Sequence, residues 1–215
     1  MFSTKRELIF FILSGIFITN AVIAEAIGGK LFEIGPFVMS VGILPWPVVF
    51  LTTDLINEYY GKEGVRKISW FTAALIVFMF GVLFLCMQIP ASEISPVKDE
   101  AFQSVFGQSS AIIIGSIIAF LVAQLVDVSV FSFFKNKTGN KMLWLRATGS
   151  TAISQLIDTF IVAGIGFWLT GKVTFADYVN MAATGYVVKL MIAVALTPLI
   201  YAGHFMIDKY MEKEK

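Results

Sequence analysis

Gln124-Leu125-Val126-Asp127 and Gln155-Leu156-Ile157-Asp158 repeat one chemical phrase 31 residues apart, each inside an apolar run. In each, a carboxamide and a carboxylate stand three residues apart, which on a helix puts both on one face. A carboxylate in hydrocarbon costs roughly 2.5–3.5 kcal/mol even on the lenient insertion scale. Residues retained at that cost face a bundle interior or a wet cavity, and mark a pathway or a binding site.

The chain that carries them has 215 residues, of which 57% are hydrophobic and 14% charged. Its mean hydropathy is +0.81. A soluble domain could not cover so much apolar surface with so few charges. The expected class is therefore an all-α membrane protein, in contact with the lipid bilayer. A net charge of +1 gives no support to a nucleic-acid partner. The single Cys86 excludes an internal disulfide and a cysteine metal site. No metal-ligand spacing, nucleotide-binding glycine loop or Ser/Cys–His arrangement occurs, so no cofactor is expected. The lone His204 reads as an interfacial residue.

Windows of about 20 apolar residues, enough to cross roughly 30 Å of hydrocarbon, fall near 8–28, 35–57, 67–89, 109–134, 148–170 and 180–203. The expectation is one six-span domain over residues 1–215. The basic residues fall into alternating sparse and dense loops. Lys5 and Arg6 precede the first span, and Lys30 follows it. Lys62, Arg66 and Lys67 follow the second, with Lys98 alone after the third. Lys135, Lys137, Lys141 and Arg146 follow the fourth, Lys172 the fifth, and Lys209, Lys213 and Lys215 the last. The positive-inside rule then places both termini in the cytoplasm. Ala24-Glu25-Ala26 imitates a signal-cleavage site, but the apolar run before it is long enough to span and five more follow.

These spans must position the polar groups. The short Lys135–Lys141 turn makes spans four and five antiparallel neighbours. Asp127 then lies about 12 Å from the cytoplasmic boundary and Asp158 about 18 Å, at the helical rise. Thr151, Ser154, Gln155 and Asp158 continue one stripe along span five. Lys189 lies near the middle of span six, either as a structural ion pair with Asp158 or Asp127, or as a cation of the site. In span two, Asp54, Asn57 and Glu58 share a face. Asp54 is the functional candidate, and Glu58 reads as a solvated helix end. Pro45-Trp46-Pro47 is expected to break span two half-way, where transporters place their ligands. Asn20 and Glu25 are the polar residues of span one, Glu25 close enough to the outer boundary to be solvated. The 21 Phe residues read as lipid-facing or packing groups, not as an aromatic ligand box.

Several segments together resemble the YhhQ-type proteins of the vitamin uptake transporter family. They are Pro47-Val48-Val49-Phe50-Leu51-Thr52-Thr53-Asp54-Leu55 with Tyr60-Gly61 and Arg66-Lys67, then Gln124 to Phe131, Ala147-Thr148-Gly149-Ser150-Thr151, Asp158-Thr159, and Lys189 with Pro198. The resemblance runs over roughly residues 15–203. It implies a multi-pass carrier of queuosine precursors, the 7-deazaguanine bases, in a bacterial plasma (inner) membrane. A guanine-like edge offers an N–H beside an amino group, and a carboxylate accepts both. A Gln amide satisfies a carbonyl and ring-nitrogen edge. The residues expected to bind substrate are thus Asp127, Asp158, Gln124, Gln155, Lys189, Asp54 and Asn20. The expected partner is a small nucleobase-like molecule, and a homo-oligomer is compatible. Three spans per half is an odd number, so a 3+3 repeat would be inverted. Asp54-Leu55-Ile56-Asn57 and Gln155-Leu156-Ile157-Asp158 would be its counterparts. The alternatives are a substrate-binding subunit of an energy-coupling-factor system, an intramembrane enzyme lacking an evident nucleophile, and a structural protein.

Overall fold

The computed structural model describes residues 4–35, 37–139 and 141–212. Lys213 and Lys215, named above, lie outside the described residues. Among the described residues, five helices are long and apolar enough to cross a membrane.

Helix α1 (Lys5–Ile27) starts where the Thr4 hydroxyl accepts the Glu7 amide, an N-cap that satisfies one of the helix's orphan donors. It is followed not by more helix but by an antiparallel hairpin, β1 (Leu31–Ile34) with β2 (Phe37–Ser40). The second span, expected as helix from residue 35, is corrected here, and with it the purely helical fold class. Gly35, at φ 58°, takes the left-handed conformation at the hairpin's turn. Short apolar runs beside such a turn read equally as helix or strand.

A 3-10 turn (Val41–Ile43) leads into α2 (Trp46–Met87). Pro45-Trp46-Pro47 therefore opens α2 rather than breaking a span half-way. The first turn of a helix has no amide partners to lose, so proline is tolerated there. At 42 residues, α2 would be about 63 Å long if straight, twice the hydrocarbon thickness. Gly61, at φ 70° and ψ −176°, divides it into arms 46–60 and 62–87. An amphipathic α3 (Asp99–Phe106) precedes α4 (Ser110–Thr138), which the Ser109 hydroxyl caps.

A tight turn leads from α4 to α5 (Leu143–Ala163). It uses Gly139 at φ 58° and Met142 at φ 57°. Helix α5 passes into a π-turn (Gly164–Trp168), and α6 (Phe175–Glu212) carries Pro198 inside it.

Helices α4 and α5 are the most extensively packed pair. Small residues stand at this contact: Gly149 of α5 faces Phe134 of α4, and Gly115 of α4 faces Ile165 of the π-turn that follows α5. Small side chains let helix backbones approach closely, which in lipid supplies the van der Waals contact that hydrophobic burial cannot. A second cluster joins α1 to α2 and α4 through Phe17, Val49, Ile56 and Phe120. Phe78, Leu85, Met191 and Phe205 instead project outward, toward where lipid tails lie.

Candidate functional site

Helices α2, α4 and α5 line a narrow cavity whose free space, about 10 Å³, is that of a single water molecule in this arrangement. Helix α2 contributes Trp46, Phe50 and Thr53. Helix α4 contributes Phe120, Ala123, Gln124 and Asp127. Helix α5 contributes Thr151, Ser154, Gln155 and Asp158. Both Gln/Asp phrases thus reach one space, from two antiparallel helices joined by a tight turn.

Gln124, Asp127 and Asp158 are each held by a side-chain partner. The Gln124 amide donates to Thr53 Oγ1 at 3.4 Å. The Thr53 hydroxyl spends its own hydrogen on the Val49 carbonyl at 2.8 Å. Gln124 Oε1 has no partner among the described residues, which leaves an acceptor free for a ligand. Asp127 Oδ1 accepts from the Ser154 hydroxyl at 3.1 Å, with Ser150 and Thr151 hydroxyls also at hand. These hydroxyls stand in for water around a buried carboxylate. Asp158 Oδ2 accepts from Lys189 Nζ at 2.6 Å. Charge-assisted bonds of this length are among the strong ones.

Of the predicted binding residues, Asp127, Asp158, Gln124 and Gln155 line the cavity. Lys189 reaches it through Asp158. Asp54 does not line it: it is buried beside the charges of Asp127 and Glu58, and its Oδ1 is unpartnered. Asn20 is not brought to the site; its side chain donates to the Ile16 carbonyl on its own helix at 2.8 Å. That bond satisfies its amide locally, as polar side chains in membrane helices commonly do.

Trp46, Phe50 and Phe120 pack as an aromatic wall, with Trp46 ring centroids 5.8 Å from Phe50 and 6.0 Å from Phe120. Only the prolines flanking Trp46 set it apart in sequence. Two expectations are corrected. Glu58 is not a solvated helix end. Its side chain is 10% exposed and pairs with Arg146 at 3.0 Å and Lys135 at 3.3 Å. Arg146 also donates to the carbonyls of Gly139 and Lys141, so it ties α2 to the α4–α5 turn. Glu25, too, is buried rather than solvated. His204 pairs with Asp208 at 2.8 Å, and the Tyr59 hydroxyl donates to the same carboxylate at 2.7 Å.

Five long apolar helices that bury carboxylates and carboxamides among them define a multi-pass membrane protein. Comparison with known proteins narrows the class. The family model described as putative vitamin uptake transporter matches residues 40–203, and the chain belongs to that family. The family is one of transporters, not of enzymes. The chain is 31% identical over 180 residues to a probable queuosine precursor transporter of Bacillus subtilis, covering 83% of this chain and 77% of that one. It is 30% identical over 162 residues to a protein of the same description from Haemophilus influenzae, covering 72% of this chain and 63% of that one. No solved structure matches.

Proposed function

We propose that the chain imports queuosine precursors, 7-deazaguanine bases, by alternating access. The observation that carries this most is the make-up of the cavity. Two carboxylates and two carboxamides lie on its walls beside three aromatic rings. A planar base needs both: faces to stack on, and groups to meet its polar edge. Asp127 accepts from the ring N–H and amino group of the base, and Gln124 and Gln155 meet the remaining edge. Asp158, with Lys189, meets the other end, where an aminomethyl form would carry a cation. The names of the two relatives favour the same substrate class.

In this reading the hairpin and turn at 31–43 with the short arm 46–60 make one crossing and the arm 62–87 the next, giving six crossings with both termini cytoplasmic. The Glu58–Arg146–Lys135 cluster then closes the cytoplasmic side of the cavity, and the end of α1 with the Val41–Ile43 turn closes the outer side. The halves are related as an inverted 3+3 pair. The protein sits in a bacterial plasma membrane.

The test is uptake of labelled 7-deazaguanine precursors in cells unable to synthesise them. Uptake by this chain alone, without partner ATPases, separates a carrier from an energy-coupling-factor subunit. Asp127→Asn and Asp158→Asn should each abolish uptake at micromolar precursor while membrane insertion persists. Normal uptake by both variants would remove these residues from the site.

A further inference from the structure

Glu25 is a second buried carboxylate system, outside the walls of the cavity. It stands two residues before the end of α1 and is 8% exposed. The Ser116 hydroxyl of α4 lies beside its side chain, with its own hydrogen on the Ile113 carbonyl at 3.0 Å. The charged groups that reach it are Asp158 from α5 and Lys189 from α6. The Val41–Ile43 turn packed beside it carries no titratable residue. The Gln108 amide, just before α4, is taken up by the Glu25 backbone carbonyl at 2.9 Å.

Lys189 is therefore shared unequally. Its ammonium lies 2.6 Å from Asp158, which leaves Glu25 a hydroxyl and a distant cation. A buried carboxylate without its own cation is strongly disfavoured, whereas a protonated one needs only a hydrogen-bond partner. With Glu25 ionised, the group Glu25–Asp158–Lys189 carries one net negative charge; with Glu25 protonated it is neutral. The occluded arrangement seen here suits the neutral form. Asp158 belongs to the substrate cavity, so the same triad joins Glu25 to the ligand.

We propose that Glu25 is the proton-binding site that drives import, one proton entering with each base. The step takes a proton from water on the outer side onto a Glu25 carboxylate oxygen. The outer side closes over the neutral triad, and the proton returns to cytoplasmic water once the cavity opens inward. Lys189 passes between Asp158 and Glu25 as the charge on Glu25 changes. This inference rests on the import reading given above.

Purified protein in phospholipid vesicles, supplied with a tritiated 7-deazaguanine precursor and an exterior one pH unit more acidic than the lumen, tests it. The wild type should concentrate the base about tenfold, the ratio that one pH unit drives at one proton per neutral base. Glu25→Gln should still exchange label against unlabelled base in counterflow but stop at equal concentrations. Glu25→Asp should keep the accumulation. A wild type that exchanges base yet ignores the gradient, or a Glu25→Gln variant that accumulates like the wild type, overturns the proposal. Infrared difference spectra between acid and neutral pH give a readout that needs no substrate. A protonated-carboxyl band should be present in the wild type, shifted in Ser116→Ala and lost in Glu25→Gln. The same band in Glu25→Gln overturns the proton site. Failure of counterflow in the wild type overturns the substrate reading instead, and the infrared band still decides whether Glu25 holds the proton.

Discussion

Replacing Glu58 with Gln should destabilise the protein far more than a helix-end substitution does. Arg146 is 2% exposed and its Nη2 loses the carboxylate at 3.0 Å. Breaking a buried pair from one side costs about 3–5 kcal/mol, because the other charge stays buried. Two features pull the value to the low end: Nη1 of Arg146 keeps the Gly139 and Lys141 carbonyls, and Gln still offers an oxygen. Lys135 adds little. Its side chain is 32% exposed and retains the Glu58 backbone carbonyl at 2.7 Å, and an ion pair that exposed is worth about 0–1 kcal/mol. The expected loss is therefore about 3 kcal/mol, or about 6–12 °C in Tm for a chain of this size. Thermal unfolding in detergent micelles measures it. Glu58→Leu combined with Arg146→Met should recover at least half of the loss, since no unpaired charge remains. Lys135→Ala should fall within about 1 kcal/mol of the wild type. A Glu58→Gln shift under about 2 °C, or a double variant as damaging as the single losses added, would refute the buried-cluster account and restore the solvated helix end.

Three further outcomes follow from the same geometry. Trp46→Ala should weaken base binding by about 1–3 kcal/mol, the usual value of a base–aromatic stack, while Trp46→Phe should keep most of the affinity; competition uptake measures both. Lys189→Met should destabilise by leaving Asp158 buried without its cation, and Lys189→Met with Asp158→Leu should recover the thermal stability but not the uptake. Gly42→Ala should cost about 1–3 kcal/mol, because its Cβ would stand 2.7 Å from the Ala24 carbonyl oxygen; a Tm unchanged from the wild type would show that α1 can move aside.

The polar phrases were legible because helical spacing and hydropathy act locally. Two carboxamide–carboxylate pairs at matching offsets, with a short basic turn between them, sufficed to bring Asp127 and Asp158 together. Thr53 and Phe120 were not legible. Their types are ordinary in membrane helices, and only the packing of α2 on α4 turns them toward the cavity. Glu58 was misread for the opposite reason. A charge near a helix end looks solvated until a neighbouring helix covers it, and no local pattern records that cover. Asn20 failed because a local bond to Ile16 satisfies a polar residue as well as a ligand does. The hairpin at 31–40 was lost because short apolar stretches carry no period long enough to separate strand from helix.

The tight turn after α4 also bears on how the chain is made. Arg146 donates to two carbonyls of that turn, so α4 and α5 are tied together by contacts between near neighbours in sequence. The pair can leave the insertion machinery as a helical hairpin, with the Ser154 hydroxyl already on Asp127. Asp158 has no such early relief. Its cation resides on α6, which follows α5 in the chain. A chain stopped before Lys189 would therefore hold Asp158 in the bilayer without its cation, a state that costs several kcal/mol, and α5 should insert stably only once α6 has joined it.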